Sequence, residues 1–369
     1  MAQQKDTKRG TWMFYGSCKD ILGNTVRYCR RGFKTKKEAK TAELAFRLDM
    51  EASRPTITLN ELRDLYQSNA GALSVKDSTL VTDRSTYDCH IRDDLGELSL
   101  KMFTVPFLDK WRTKLAKTKK PDGTPYAPAT INKTMEALSR YFSYAVRLGY
   151  MEYNPCHSLP AIKGSRGPNA KRRPVFWEQS TFNYFISCVD DPYWQDVFLF
   201  LFGTGCREGE MFALQWADVD LGSGKAHISK TLTSKTTTGK WAITSPKTER
   251  SDRFIDLQEA LLVRLRARFS AEKKKDGFSS SWFVFGHIAP LSRTTLARFL
   301  DKYIDVAGVP RITPHGFRHS HATLLIRSGI DDQLIADRLG HTPAELRKTY
   351  AHIYADSRKE MIQKLNEIF

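Results

Sequence analysis

Residues 312–330 read ITPHGFRHSHATLLIRSGI, a stretch that predicts a helix with a site for an anion on its first turn. Thr313 is a suitable N-cap residue, and Pro314 fits the first helical position, where a missing N–H costs nothing. His315 and Arg318 then lie three residues apart on one face, beside the free backbone N–H groups of the helix N-terminus. A guanidinium offers a planar fork of donors to a phosphate, and an imidazole can also move a proton. The stretch therefore predicts a phosphate-binding site.

The chain that follows supplies two more candidate groups. Ser328 and Gly329 should end the first helix, and DDQLIADRLG should form a second helix that ends at Gly340. His341 comes directly after that glycine, and Tyr350 follows nine residues later in RKTYAHIY.

Arg207, in the upstream segment TGCREGEMFALQWADVD, is a further candidate for holding a phosphate. Taken singly, each candidate has a simpler explanation. Arg207 could pair with Glu208 or Glu210 on its own helix, and the His–Arg pair could be a surface cap. The second histidine could satisfy helix carbonyls, and the tyrosine could pack beside Tyr354 in a core. Their joint occurrence in this order and spacing favours one site that breaks a DNA strand through a tyrosine.

These segments resemble the motifs of the tyrosine recombinases, in particular the integrases of phages and conjugative transposons. TGCREGE is similar to that family's first arginine motif and HGFRH to its HxxR motif. LGH is similar to its second histidine and TYAHIY to its nucleophile segment. The resemblance covers residues 174–369 and implies a mainly helical catalytic domain with a small antiparallel β-sheet, within a multidomain α+β protein.

The resemblance also implies roles for the matching residues. Arg207 and Arg318 would hold the two non-bridging oxygens of the scissile phosphate and stabilise the charge of the transition state. Tyr350 would be the nucleophile, forming a 3′-phosphotyrosyl bond and releasing a 5′-hydroxyl, so that rejoining needs no ATP. His315 and His341 would donate to the phosphate or exchange a proton with the tyrosine, and the sequence leaves these two roles unassigned.

The acidic residues of the motifs have a supporting part in this interpretation. Glu210 matches a position that, in the family, orients the active-site cations. The motifs contain no carboxylate cluster suited to Mg²⁺. We therefore expect no metal ion and no other cofactor, and cleavage that proceeds in EDTA.

The family also uses a lysine that protonates the leaving 5′-oxygen. Between Lys225 and Leu257 the runs AHISKTLT, GKWAITS and DRFIDL predict short β-strands. Lys247, in SPKTERSDRFIDL, lies between the last two runs, where the family's lysine-bearing hairpin would put it. Lys235 and Lys240 in the preceding turn are competitors, and any of the three could be a solvated loop lysine.

The overall charge favours a nucleic-acid partner. The 369 residues contain 58 Lys and Arg against 41 Asp and Glu, a formal net charge of +17 that attracts polyanions. A basic protein of a membrane surface is the rival, but the sequence has no apolar run near 18 residues and MAQQKDTKRG does not resemble a signal peptide. Six scattered cysteines suggest neither a disulfide framework nor a zinc site. We expect a soluble protein of the bacterial cytoplasm, associated with the nucleoid.

Residues 1–54 predict a small basic domain. They hold 13 Lys and Arg against 6 Asp and Glu, and the runs TWMFYGSC and TVRYCRRGF flank the turn formers Gly23 and Asn24. This pattern indicates a β-hairpin unit followed by a helix from about Thr35. It resembles the arm-type DNA-binding domain of integrases, a three-stranded sheet that binds the major groove; the alternative is a basic tail of marginal order. The candidate DNA-binding residues are Arg27, Arg30, Arg31 and Lys34.

Residues 55–162 predict four or five helices with apolar residues at helical spacing. They resemble the family's core-binding domain, although the same pattern fits any small helical bundle. KGSRGPNAKRR, residues 163–173, has five basic residues and no acidic ones, and predicts a linker that follows a phosphate backbone. Its last three residues, Lys171, Arg172 and Arg173, are DNA-binding candidates, unless the segment is an ordinary solvated linker.

The last segment, SRKEMIQKLNEIF, has an apolar helical face made by Met361, Ile362, Leu365, Ile368 and Phe369. It could fold back on its own core or, as the resemblance implies, dock on a neighbouring protomer. The resemblance further implies a homo-tetramer on double-stranded DNA with core and arm attachment sites, and an accessory bending or excision factor.

Three functions fit these observations. The first is a site-specific recombinase that integrates, and also excises, a phage or other mobile element. The second is a type IB topoisomerase, which the N-terminal basic module and the HGFRH and LGH motifs oppose. The third is a DNA-binding protein that kept the fold and lost catalysis, which the filled catalytic positions oppose. The sequence therefore predicts an integrase.

Overall fold

The computed structural model describes residues 2–7, 9–19, 25–52, 56–69, 75–163, 175–234, 236, 238, 241–245, 249–351, 353–355, 362 and 365–367. The chain divides into two compact units, Met1–Lys171 and Arg172–Phe369. The unit boundary therefore falls within the basic segment 163–173.

The first unit begins with a three-stranded antiparallel sheet in the order β1-β2-β3, followed by a helix. The elements are β1 (Ala2–Asp6), β2 (Thr11–Lys19), β3 (Thr25–Phe33) and α1 (Lys36–Ala52). Phe14 of β2 is buried against the helix, with ring centroids 5.5 Å from Phe33 and 6.2 Å from Phe46. An aromatic core thus orders this basic segment, and the predicted sheet followed by a helix is confirmed.

The rest of the first unit is helical, as predicted. Its helices are α2 (Leu59–Ser68), α3 (Asp77–His90), α4 (Arg92–Leu95), α5 (Val105–Lys117) and α6 (Pro128–Arg147). Tyr141 lies at the centre of their core, with edge-to-face contacts to Tyr66 at 5.2 Å and Tyr87 at 5.7 Å. Arg140 makes a two-pronged ion pair with the buried Asp83, which ties α6 to α3.

The second unit is mainly helical, with two small sheets. Its helices are α7 (Gln179–Ser187), α8 (Pro192–Thr204), α9 (Glu208–Ala213), α10 (Glu259–Glu272), α11 (Arg293–Ala307), α12 (Pro314–Arg327), α13 (Asp332–Leu339) and α14 (Pro343–Thr349). Its strands are β4 (Val219–Asp220), β5 (Lys225–Ile228), β6 (Thr231–Thr233), β7 (Ala242–Thr244) and β8 (Arg253–Asp256).

The strand pairing differs from the simple hairpin expected around Lys247. AHISKTLT splits into β5 and β6, and the two halves join different sheets: β5 pairs with β4 and β8, whereas β6 pairs with β7. The last two predicted runs, now β7 and β8, therefore do not pair with each other. Lys247 lies on the connection between them, and Lys235 and Lys240 lie on the β6–β7 connection. All three lysines are outside the described residues.

Two apolar clusters organise the second unit. The larger is rich in aromatic rings and includes Phe182 and Phe202, which stack at 3.7 Å, and Phe317 of α12. The smaller lies among α12, α13 and α14 and includes Leu339, Leu346 and Tyr350. The smaller cluster fixes the position of the candidate nucleophile, because the tyrosine ring is one of its members.

The C-terminal segment is only partly described. Residues 362 and 365–367 are helical, and Ile362 and Leu365 are exposed. The other apolar residues predicted for this face, Met361, Ile368 and Phe369, lie outside the described residues. In the described part of the chain, no helix is long and apolar enough to cross a membrane.

Candidate active site

Arg318 is the fifth residue of α12 and is 1% exposed. Its Nη1 donates to the carbonyl of Gly205 at 3.0 Å, and its Nη2 donates to the carbonyl of Leu339 at 2.7 Å. These carbonyls lie at the C-terminal ends of α8 and α13, where the helix dipole concentrates negative charge. Burial and the nearby charge of Arg207 lower the pKa of Arg318 to about 10, so the guanidinium stays charged at neutral pH.

Two glycines make this convergence possible. Gly205 ends α8 at a φ of 64°, and Gly340 ends α13 at a φ of 66°, a left-handed conformation that favours glycine. A Cβ at Gly205 would also lie 2.5 Å from Cδ2 of His321. The helix ends predicted at Gly340 and at Ser328 are confirmed, as is the start of α12 with Thr313 as N-cap and Pro314 first.

Arg207 is the N-cap residue of α9 and is held by Glu210. Its Nη1 donates to Oε1 of Glu210 at 2.7 Å, and its backbone N–H donates to Oε2 at 2.9 Å. The simpler interpretation of Arg207, an ion pair with Glu210 of the same helix, is therefore confirmed as a contact. It does not exclude a phosphate contact, because the Arg207 side chain remains 36% exposed.

The same carboxylate also binds a buried arginine from a distant strand. Nη2 of Arg253, in β8, donates to Oε2 of Glu210 at 2.9 Å, and both side chains are 6% exposed. Nε of Arg253 donates to the carbonyl of Arg338 at 2.7 Å. Burial alone would raise the pKa of Glu210, but Arg253 and Arg207 outweigh it and hold that pKa below its ordinary value. Arg253 thus joins α9 to the end of α13.

His341 follows α13 and contacts Arg318 directly, through Nη2 of Arg318 and Nε2 of the ring at 2.8 Å. Since a guanidinium only donates, Nε2 accepts, and the proton of the neutral ring is on Nδ1. That Nδ1 is buried and has no hydrogen-bond partner among the described residues. Burial and the charges of Arg318 and Arg207 lower the pKa of His341 to about 4, so the ring is neutral at pH 7.

His315 occupies the outer side of α12. The residue is exposed overall, yet partial burial of its imidazole and the charges of Arg318 and Arg207 lower its pKa. Its ring contacts that of His319 edge to face, with centroids 4.8 Å apart. Helical spacing of four residues brings these two rings together.

Tyr350 ends α14 and is 1% exposed. Its Oη lies 3.1 Å from Nδ1 of His319, and the two ring centroids are 5.7 Å apart. Burial raises the pKa of Tyr350 to about 12, against the opposing charge of Arg318. The neighbouring Tyr354 is held differently, because its hydroxyl donates to Oδ1 of Asp332, a carboxylate that also pairs with Arg347.

Two residues of this arrangement were missed by sequence reasoning. His319 is the last residue of HGFRH. Its position one helical turn after His315 could have indicated that the two rings lie together. Arg253 carried no such local signal, because its partner Glu210 is 43 residues away. Of the predicted residues, the structure brings together Arg207, Glu210, Arg318 and His341, with His315 beside them, and places Tyr350 against His319.

The basic residues of the N-terminal sheet do not share one face. Phe14 and Arg30 are paired opposite each other, and the Arg30 guanidinium lies over Phe46 of α1 at 5.5 Å. Arg27 and Arg31 alternate with Arg30 along β3 and therefore face away from the helix. Lys34 follows β3, and its backbone N–H donates to Glu38. The linker residues Lys171, Arg172 and Arg173 lie outside the described residues.

Comparison with known proteins gives a consistent assignment. Residues 186–357 match the phage integrase family, and residues 2–50 match the arm DNA-binding domain. The ICEBs1 integrase of Bacillus subtilis is 26% identical over 361 residues, which is 94% of this chain and 94% of that protein. The tyrosine recombinase XerC of Treponema denticola is 29% identical over 252 residues, 64% of this chain and 76% of that protein.

Solved structures share the fold. The Tn1549 transposon integrase in complex with transposon right end DNA superposes with a TM-score of 0.65 at 21% identity, covering 84% of this chain and 100% of that chain. The lambda integrase dimer bound to a COC′ core site gives a TM-score of 0.56 at 16% identity, covering 92% of each chain. These structures show the shared fold, whereas the two family matches and the relatives identify the chain as a site-specific recombinase that belongs to the tyrosine recombinases, of the phage and conjugative-transposon integrase type.

Proposed function

We propose that this recombinase cleaves and rejoins double-stranded DNA at attachment sites through a 3′-phosphotyrosyl bond to Tyr350. The observation that carries the proposal is the convergence of motifs that are far apart in sequence. Arg318 of α12 binds both His341 and the carbonyl of Gly205, two residues before Arg207. Two cations and a partly buried, neutral histidine thereby lie close together, which suits a phosphate diester.

Each catalytic residue has a separate role in the cleavage reaction. Arg207 and Arg318 bind the two non-bridging oxygens and stabilise the charge that gathers on them in the transition state. Oη of Tyr350 attacks the phosphorus, the P–O5′ bond breaks, and Lys247 supplies the proton that the leaving 5′-oxygen takes. Glu210 keeps Arg207 in position.

The two predicted histidines, His315 and His341, donate hydrogen bonds to the phosphate. Nδ1–H of His341, which has no partner among the described residues, is available to donate to a phosphate oxygen, since a buried donor without a partner is costly in the free protein. His315 lies on the exposed side of the same turn and donates from there. Neither ring contributes a permanent charge at pH 7, because both pKa values are lowered.

The remaining segments bind DNA at a distance from the reaction. Residues 1–54 bind arm sites through the outer face of the N-terminal sheet, where the exposed Tyr15, Arg27 and Arg31 are supported by their alternation with the buried Phe14. Residues 55–162 bind the core site, residues 174–369 form the catalytic domain, and the basic linker 163–173 binds the phosphate backbone.

Assembly is part of the same proposal. Four protomers act together on DNA, and the exposed Ile362 and Leu365 of the C-terminal segment support docking on a neighbouring protomer. The enzyme inserts and excises a mobile element in the nucleoid of its bacterial host, with an accessory bending or excision factor that sets the direction.

The test is covalent trapping on a nicked duplex that carries the crossover site. Tyr350→Phe should form no adduct while keeping its DNA affinity, because one hydroxyl adds little to many phosphate contacts. Tyr354→Phe is the matched control and should still form the adduct, since Asp332 occupies its hydroxyl. An adduct that survives Tyr350→Phe and disappears in Tyr354→Phe would reverse the assignment, and absence of any adduct in the wild type would indicate a protein that binds without cutting.

A further inference from the structure

His319 is an unassigned group at the reacting end of the nucleophile. Attack by Tyr350 on phosphorus requires a group that accepts the phenolic proton. At a pKa of about 12, on the order of one Tyr350 side chain in 10⁵ is ionised at pH 7. A group beside Oη therefore has to accept the proton as the bond to phosphorus forms.

The contacts of the three histidines show which of them can accept the proton of Tyr350. Nε2 of His341 is occupied by Arg318, and its other nitrogen carries the proton, so this ring cannot accept from a phenol. The ring of His315 contacts that of His319, one turn further along α12. His319 itself places Nδ1 3.1 Å from Oη of Tyr350, within hydrogen-bond distance.

We propose that His319 is the catalytic base of strand cleavage, taking the phenolic proton on Nδ1 as Oη of Tyr350 bonds to phosphorus. The inference rests on the proposed role of Tyr350. In cleavage the O–H bond of the tyrosine and the P–O5′ bond break, the Oη–P bond forms, and the 5′-oxygen takes its proton from Lys247. In rejoining, the 5′-hydroxyl attacks phosphorus and His319 returns the proton to Oη.

The surroundings of His319 fit this step. Its neighbour His315 has a lowered pKa and stays neutral, so a proton on His319 does not create a second imidazolium at the 4.8 Å ring contact. His315 and His319 lie on α12, the helix that also contains Arg318. One rigid element therefore positions the base and a phosphate-binding cation together.

The experiment combines a change of base with a change of nucleophile acidity in the full-length protein. His319→Asn keeps a hydrogen-bonding oxygen near the position of Nδ1 but accepts no proton. Tyr350 is replaced by 3,5-difluorotyrosine, a phenol that ionises much more readily. His315→Asn is the matched control on the same helix face, because the ring of His315 contacts His319, whereas His319 contacts Oη of Tyr350. Adduct formation is timed on a nicked crossover-site duplex, with DNA affinity measured for each variant.

With tyrosine at position 350, His319→Asn should slow cleavage by about 10²- to 10⁴-fold. Difluorotyrosine should restore most of that rate in His319→Asn but not the loss in His315→Asn, since an acidic phenol no longer needs a base. Equal effects of difluorotyrosine on the wild type and on His319→Asn, or normal cleavage by His319→Asn, would overturn the inference. Tyr350→Phe in the same assay distinguishes this failure from failure of the nucleophile assignment, because an adduct in that variant refutes the latter alone.

Discussion

Breaking the buried ion pair beneath the site should strongly destabilise the second unit. Glu210→Gln removes the negative charge that two arginines share and keeps the shape of the side chain. Arg253 is 6% exposed, so the variant leaves its guanidinium buried without a counter-charge, a change that costs about 3–5 kcal/mol. Arg207 is 36% exposed, and solvent screening limits the loss of its pair to about 0–1 kcal/mol.

Glu259→Gln provides a matched control. Glu259 pairs with Arg266 at 3.1 Å, but the two side chains are 73% and 45% exposed, so the variant should lose less than about 1 kcal/mol. Urea unfolding followed by tryptophan fluorescence reports mainly on the second unit, which holds five of the seven tryptophans. Equal losses of unfolding free energy in the two variants would refute the argument from burial.

Acid provides an independent check on the same carboxylate. Because the folded pKa of Glu210 is held below its ordinary 4.5, its contribution to stability is complete above that pH and is lost as the pH falls through the folded value. The difference between the wild type and Glu210→Gln should therefore shrink below about pH 4.5. A difference that grows on acidification would contradict the sign of the pKa shift.

Three further predictions concern the leaving group, the N-terminal domain and the buried histidines. Lys247→Ala should slow cleavage of a normal phosphodiester but have much less effect on a substrate with sulfur at the bridging 5′ position, because a thiolate leaves without a proton; equal defects on both substrates would assign Lys247 to phosphate binding. Removing residues 1–54 should leave cleavage of a core oligonucleotide intact and impair integration, with the log–log salt slope of binding to a long attachment site reduced by about one unit per lost phosphate contact; normal recombination by the truncated protein would make the segment dispensable. The pKa values of about 3 for His321 and about 4 for His341 lie below the unfolded value of 6.5, so protonation favours the unfolded chain as the pH falls below about 6.5. Each ring should cost up to about 1.4 kcal/mol per pH unit there, and a urea midpoint unchanged between pH 7.5 and 5.5 would contradict neutral burial.

Much of the fold was accessible from sequence because its signals are local. The N-cap and proline of α12, the glycine that ends α13 and the aromatic alternation of the N-terminal sheet each occupy a few neighbouring residues. Long-range pairing left no such trace. AHISKTLT reads as one strand, yet β5 and β6 take partners from different sheets, so the connection that carries Lys247 could not be placed.

The candidate site shows the same difference between local sequence signals and long-range contacts. Arg207, Arg318 and His341 could be proposed from motif spacing, whereas the contacts that hold them involve carbonyls of Gly205 and Leu339 and the carboxylate of Glu210. Within β3, charge alone did not predict which face of the strand Arg30 occupies. It was grouped with Arg27 and Arg31 by charge, but strand alternation turns it towards α1.

The packing of Tyr350, the proposed nucleophile, has a consequence for the chromosome that would receive the element. Its ring is a member of the apolar cluster that also contains Leu339 and Leu346, so a phosphotyrosyl bond to it would form at the edge of an apolar region. Hydrolysis of that bond would release the enzyme and leave a permanent strand break. Under the proposed mechanism, an apolar surround would keep bulk water from the reacting centre, favour the nearby 5′-hydroxyl as the second nucleophile and so favour resealing of each cut.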